Sequence, residues 1–172
     1  LTNHLSEPTT LHWHGIRLPA PMDGTDMVQH PVEPGAVFVY RIKLPDAGTF
    51  WYHSHSNEPV QVRRGMYGAL VVRGEHEPVL DRERVLVLSD ATVEPTGELS
   101  PDNDRQGWDG NVRLVNGVAE PEVMVAGGQV ERWRVINASS ARYVKLSIDG
   151  RAFVTLGTGG GLLESPLTVH DA

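Results

Sequence analysis

Apolar and polar residues alternate at a period of two along several short stretches of this chain, and no segment shows the three-to-four spacing of an amphipathic helix. Residues 36–44 carry the clearest case. Val37, Phe38, Val39 and Tyr40 are followed by Arg41-Ile42-Lys43-Leu44, a pattern that predicts an antiparallel strand with one wet face. Thr9, Thr10 and Leu11 lead into an earlier strand that Gly15 ends or bends, and residues 49–55 form another after the turn Asp46-Ala47-Gly48. Ala69-Leu70-Val71-Val72 is a continuous apolar run and reads as a buried strand. Further strands are predicted at 84–88, 112–115, 122–125, 130–137, 143–148 and 153–156, separated by Asn116-Gly117, Gly127-Gly128 and Asp149-Gly150 turns. Residues 73–81, with Gly74 and Pro78, read as a linker; residues 94–111, rich in Pro and Gly, read as a long surface loop. Many short strands with close turns define an all-β class, a sandwich or Greek-key barrel, and two such units rather than one.

Composition narrows the classes of function. At 172 residues and 40% hydrophobic content the chain can bury a core. Its formal net charge is −7 and no run of Lys or Arg occurs, which argues against nucleic acid as a partner. No apolar run approaches the length of a membrane span. The N-terminus, Leu1-Thr2-Asn3-His4, has neither a signal-peptide pattern nor an initiator methionine, so the chain is expected to start mid-sequence. Cysteine is absent, which excludes disulfides and thiolate ligands.

The candidate chemistry lies in two His-x-His triplets, His12-Trp13-His14 and His53-Ser54-His55. With 8 histidines in 172 residues, chance yields about 0.4 such triplets, so one is weak evidence and two are better. On a strand, alternate residues share a face, and each triplet would set two imidazoles side by side, roughly 7 Å apart at Cβ. Neutral imidazole suits copper, zinc, iron and nickel alike. The absence of a carboxylate or cysteine beside these four residues argues against calcium, magnesium or an iron–sulfur cluster. The bland alternative is that they are packed strand histidines. His4, His30, His76 and His170 are expected at the surface or in packing roles, and Trp13 and Trp51 as packing residues that exclude water. Asp23, before Gly24, has the form of a β-turn aspartate.

The order His12-Trp13-His14-Gly15, Met22-Asp23-Gly24, Gln29-His30-Pro31, Pro34-Gly35, residues 48–55 and Gly65-Met66-Tyr67-Gly68 resembles the first cupredoxin domain of the multicopper oxidases, the laccase-like enzymes. Val115-Asn116-Gly117, residues 133–138 and residues 157–164 resemble the second domain of the three-domain members. The resemblance implies a cupredoxin-like Greek-key fold with domain 1 at residues 1–76 and domain 2 at residues 77–172, each incomplete. It implies copper as cofactor, with His12 on the type 2 ion, His14, His53 and His55 on the type 3 pair, and Asp23 as a proton relay near the type 2 ion. The implied reaction couples one-electron oxidation of a phenol, aromatic amine or metal ion to four-electron reduction of dioxygen to water.

Departures from the pattern limit what this chain is expected to do alone. Without cysteine a type 1 blue copper cannot form here. Gly159 stands where the family commonly has Asp. A further C-terminal cupredoxin domain is therefore expected to complete the site, with dioxygen and a small reducing substrate as partners of the full-length enzyme and a periplasmic or secreted location. The rival from another class is a non-enzymatic cupredoxin scaffold or interaction protein. A zinc hydrolase of the amidohydrolase type also uses His-x-His but needs alternating strands and helices. A two-domain nitrite reductase would need a cysteine in its first domain.

Overall fold

A computed structural model describes residues 1–100 and 109–172 of the chain. Three strands, β1 (His12–His14), β2 (Gly48–His53) and β3 (Tyr67–Val72), form an antiparallel sheet in that order, and a single short helix, α1 (Glu58–Arg63), connects β2 to β3. Four more, β4 (Arg82–Ala91), β5 (Val112–Val115), β6 (Val118–Ala119) and β7 (Glu131–Asn137), form a second sheet in the order β6-β5-β4-β7. A hairpin of β8 (Phe153–Gly157) and β9 (Leu162–Val169) follows. The all-β expectation holds.

Local chemistry explains the joints. Asn116 and Gly117 both take positive φ, 52° and 78°, as a two-residue hairpin turn between β5 and β6 requires. The Asn116 amide does more than turn the chain: its Oδ1 accepts from Val87 N–H at 2.8 Å and its Nδ2 donates to Val85 O at 3.0 Å, sealing the turn onto β4. Opposite Tyr52 on β2 stands Gly68 on β3, and a Cβ there would lie 2.4 Å from the Tyr52 hydroxyl. The ring thus lies over the glycine and fills the space a side chain would take. β4 and β7 pair in parallel, Val85 beside Arg134 and Leu88 beside Asn137, an arrangement that needs the long intervening connection.

Several sequence expectations are corrected. Residues 36–44 do not form a strand. Their burial alternates as expected, but backbone pairing is confined to the first three residues, through Asn3 N–H to Ala36 O at 3.0 Å and Phe38 N–H to Leu1 O at 2.9 Å. A period-two pattern records which face is wet; a strand also needs a neighbour along its length. The predicted strands at 122–125 and 143–148 are likewise absent, the second reduced to single bridges, Ser147 with Asp171 and Ile148 with Arg151. Ala69 to Val72 are half-buried rather than buried, on the edge strand of a sheet in which, among the described residues, β3 pairs only with β2. The helix α1 went unread because one and a half turns are too short to show a period, and β9 because Pro166 and Gly159-Gly160-Gly161 argue against a strand. Of the expected loop at 94–111, residues 101–108 lie outside the described residues. The remainder contains a bridge between Val93 and Leu99, and the Asn111 side chain is hydrogen-bonded to both the N–H and the C=O of Val93.

The apolar interior is thin. Among the described residues Phe50, Val32, Val62, Ile136 and Ala138 are buried, and polar side chains such as Asn3, Thr9, Thr10, Gln29, Ser54 and Gln61 share the interior with them. Phe50 is the pin between the first sheet and the β8–β9 hairpin, because a Cβ at Gly48 or at Gly160 would lie 3.0 Å from its ring. A second tie is ionic. Arg134 on β7 reaches Glu77 at 2.5 Å, Glu83 at 3.0 Å and the Thr49 hydroxyl of β2 at 2.8 Å, and Arg132 reaches Glu77 at 2.6 Å. Burial pushes the carboxyl of Glu77 up, yet the Gly74 N–H and the Arg134 and Arg132 guanidiniums outweigh burial and hold it below the usual carboxylate range.

Candidate metal centre

The register of the first sheet builds the site. His12 pairs with His53 across β1 and β2, and His14 pairs with Trp51, so these four side chains stand on one face while Trp13 and Tyr52 stand on the other. The ring centroids of His12 and His53 are 5.3 Å apart, and those of His12 and His14 5.8 Å. One ligand nitrogen from each of His12, His14 and His53 lies within 4.8 Å of the other two. His55 sits past the end of β2. Its ring lies beside the same cluster, 5.5 Å from that of His12 and 6.1 Å from that of His53, but outside the group of three mutually close nitrogens.

Hydrogen bonds set the rings. His12 Nδ1 is 2.9 Å from the backbone carbonyl of Asp23, and His53 Nδ1 is 2.8 Å from that of Ser54. A carbonyl oxygen can only accept, so each Nδ1 carries the proton and donates, which leaves Nε2 with its lone pair free for a metal. These are the acceptors that a ligating imidazole needs on its second nitrogen, and no local sequence signal identifies them. Burial holds the His53 imidazolium pKa below its ordinary value, against the opposing pull of the Ser54 carbonyl and Glu58. Burial also lowers His14, helped by His12 and opposed by Glu58. Both shifts favour the neutral ring, the form a metal requires.

The surroundings complete the frame. Trp51 stacks on His53 with centroids 4.4 Å apart and planes at 27°, and lies 5.0 Å from His14, in keeping with a packing role that shields one side of the cluster. Trp13 is on the far face against Tyr40. Asp23 follows a 3-10 turn, Ala20–Met22, and its carboxylate Oδ1 lies 3.5 Å from His12 Nδ1 in addition to the contact made by its carbonyl. Gly24, at φ +81°, lets this loop press on β1: a Cβ there would fall 1.8 Å from Leu11 O. His4, His30, His76 and His170 are all exposed.

Sequence reasoning missed the polar group beneath the cluster. The Gln61 side chain, 1% exposed, accepts from Thr9 Oγ1 at 2.7 Å and Ser54 Oγ at 2.5 Å and donates to Pro8 O at 2.9 Å. Nothing in a local pattern marks one glutamine in a short helix as a contact of residues some fifty positions earlier.

The donor set fits a late transition metal with a taste for imidazole, since three neutral nitrogen donors converge with no carboxylate among them. Comparison with known proteins agrees. A family model described as multicopper oxidase matches residues 1–77. The chain is 31% identical to multicopper oxidase MmcO of Mycobacterium tuberculosis over 93% of its own length and 38% of that protein's. It is 34% identical to cell division protein FtsP of Photorhabdus laumondii, over 99% of its length and 38% of the relative's. Among solved structures, a multicopper oxidase from Campylobacter jejuni described as a metallo-oxidase superposes with a TM-score of 0.88 at 34% identity, over 99% of this chain and 37% of that one. The chain therefore spans well under half the length of each. With its almost entirely β, cupredoxin-like fold and its paired His-x-His strands, the chain belongs to the multicopper oxidase family.

Proposed function

We propose that this chain supplies two histidine arms of the copper centre of a copper-dependent oxidase. The observation that carries the reading is the convergence of His12, His14 and His53, with His12 and His53 locked by backbone carbonyls in the tautomer that frees Nε2. In this reading His12 serves a type 2 ion, and His14, His53 and His55 serve a type 3 pair. Copper held there would pass electrons from a phenol, aromatic amine or metal ion to dioxygen, which is reduced to water.

The chain's own residues hold the site and move protons. The carbonyls of Asp23 and Ser54 orient two rings, and Trp51 keeps water from one side. Dioxygen reduction consumes protons, and the Asp23 carboxylate, 3.5 Å from His12 Nδ1, stands where it can hold one for delivery. With no cysteine in the chain a type 1 ion belongs elsewhere. In this reading His12, His14, His53 and His55 are half of the histidines that the family's cluster uses, and a further cupredoxin domain supplies the rest. The division into a domain at 1–76 and a domain at 77–172 is supported by the family model's match to residues 1–77. A periplasmic or secreted location is proposed from the family; no helix among the described residues is long and apolar enough to cross a membrane.

A second reading has one observation in its favour, the relative named as a cell division protein, and makes the chain a cupredoxin scaffold without redox work. Titration with Cu(II), followed by electron paramagnetic resonance, separates the two. Copper bound through nitrogen, and lost on His14→Ala or His53→Ala, is the expected result; no saturable binding to the folded chain would sink the oxidase reading.

A further inference from the structure

The two histidine arms lie about forty residues apart, and something must fix their separation. Backbone pairing of β1 with β2 ends at His53, so Ser54 and His55 are beyond the ladder that aligns the other three rings. At that point the chain passes over α1, and Gln61 lies directly beneath. Its Oε1 accepts from Ser54 Oγ, the hydroxyl between the two histidines of the second arm, and from Thr9 Oγ1, which leads into the first arm. Its Nε2 donates to Pro8 O. The backbone reinforces the link: Ser54 N–H donates to Met66 O at 3.0 Å, and Met66 N–H to Gln61 O at 3.0 Å.

Every member of this group is committed. Gln61, Thr9 and Ser54 are each 1% exposed or less, and Ser54 Oγ also accepts from Ser56 N–H at 3.2 Å. A helix that needed only to be buried would carry an apolar residue here, as it does next door at Val62, with no polar groups to satisfy. A buried amide that makes three hydrogen bonds, two at Oε1 and one at Nε2, instead dictates geometry, because its bonds hold only at one set of distances and angles.

We infer that Gln61 is a positioning residue of the metal centre, a strut that fixes the His53-Ser54-His55 arm against the His12-x-His14 arm through Ser54 and Thr9. The inference rests on the copper reading given above, and it concerns the orientation of His53 and His55 rather than ligation by Gln61 itself. Ser54 is the point of leverage. Its carbonyl orients the His53 ring and its hydroxyl is held by Gln61, so releasing the hydroxyl lets the carbonyl swing and the ring lose its acceptor.

The test compares the wild-type chain with Gln61→Met, Ser54→Ala and the double variant. Long-range 15N–1H spectra of the histidine rings, recorded without metal, report the tautomer of His53. Cu(II) titration reports affinity, and circular dichroism with thermal melting reports the fold. The wild type should show His53 as the Nδ1–H tautomer; either single variant should show mixed tautomers and a copper affinity lower by roughly 10–100-fold, the range for loss of an outer-shell partner. Because both changes cut the same strut, the double variant should be no worse than the more affected single. Should Gln61→Met fail to fold, Ser54→Ala, which removes one oxygen, still decides the matter. Folded variants that keep the wild-type tautomer and affinity, or that lose thermal stability alone, overturn the inference. If the wild type binds no copper, the copper reading fails by itself, and the tautomer comparison still shows whether Gln61 sets the ring.

Discussion

Gly24→Ala is the sharpest single perturbation of the centre that leaves every ligand in place. Two costs follow from the structure. Gly24 has φ +81°, where an L-residue pays about 1–2 kcal/mol for its Cβ. The added methyl would also lie 1.8 Å from Leu11 O and 2.4 Å from Leu11 C, so the loop must retreat by about 1.2 Å to reach even 3.0 Å, a distance real Cβ atoms almost never go below. Both partners are backbone, and neither can rotate aside. Forced displacement of this kind costs about 1–3 kcal/mol, which makes a total of about 2–5 kcal/mol. The same retreat would draw the Asp23 carbonyl, now 2.9 Å from His12 Nδ1, out of hydrogen-bond range and free the His12 ring. Gly35→Ala is the matched control, since Gly35 has φ +78° and nothing within 4 Å of the added atom. Urea denaturation of the two variants isolates the contact cost, and the 15N shifts of His12 report the ring. Equal destabilisation by both, with His12 unchanged, would refute the claim that the Asp23–Gly24 loop is what sets this ligand.

Three further outcomes are expected. Arg134→Met should destabilise by about 3 kcal/mol, the low end for breaking a buried ion pair, because Arg132 remains beside both Glu77 and Glu83; a loss under about 1 kcal/mol in urea melts would show that the network does not tie the sheets. Phe50→Ala removes the ring lodged against Gly48 and Gly160 and should cost about 3–5 kcal/mol by the same assay. Acid should destabilise the fold through Glu131, whose carboxyl is held at about 2, below its ordinary 4.5, by Arg84 and the Trp133 indole N–H. Between those values the unfolded chain binds the extra proton, so this contribution is present above about pH 4.5 and lost as pH falls through about 2; Glu131→Gln should flatten that part of the stability–pH curve.

Much of the fold was legible because strand chemistry is local. β1, β2, β5, β7 and β8 lie within a residue or two of the stretches that alternation and β-branched or aromatic residues predict, and Asn116-Gly117 turns the chain where a hairpin turn should. The misses share a cause. Residues 36–44 have the right alternation but a neighbour only along their first three residues, and β9 has a neighbour despite Pro166, because pairing is decided by what lies alongside and not by the segment. The site divides the same way. His12, His14 and His53 were readable as ligand candidates from spacing, but that His12 should face His53 across a ladder, with His55 just outside the group of three, depends on register.

By itself, then, the sequence determined which side chains are chemically able to bind a metal, and put them in pairs, because a period of two is a property of any extended chain. It also excluded a thiolate ligand, since no cysteine exists to provide one. Only the tertiary structure decided how those pairs meet. The acceptors that fix the rings are backbone carbonyls of Asp23 and Ser54, every residue has such a carbonyl, and composition cannot say which one arrives. Gln61 joins Pro8, Thr9 and Ser54 across separations of 7 to 53 residues, and such a contact exists only once sheet, helix and loop have closed around it.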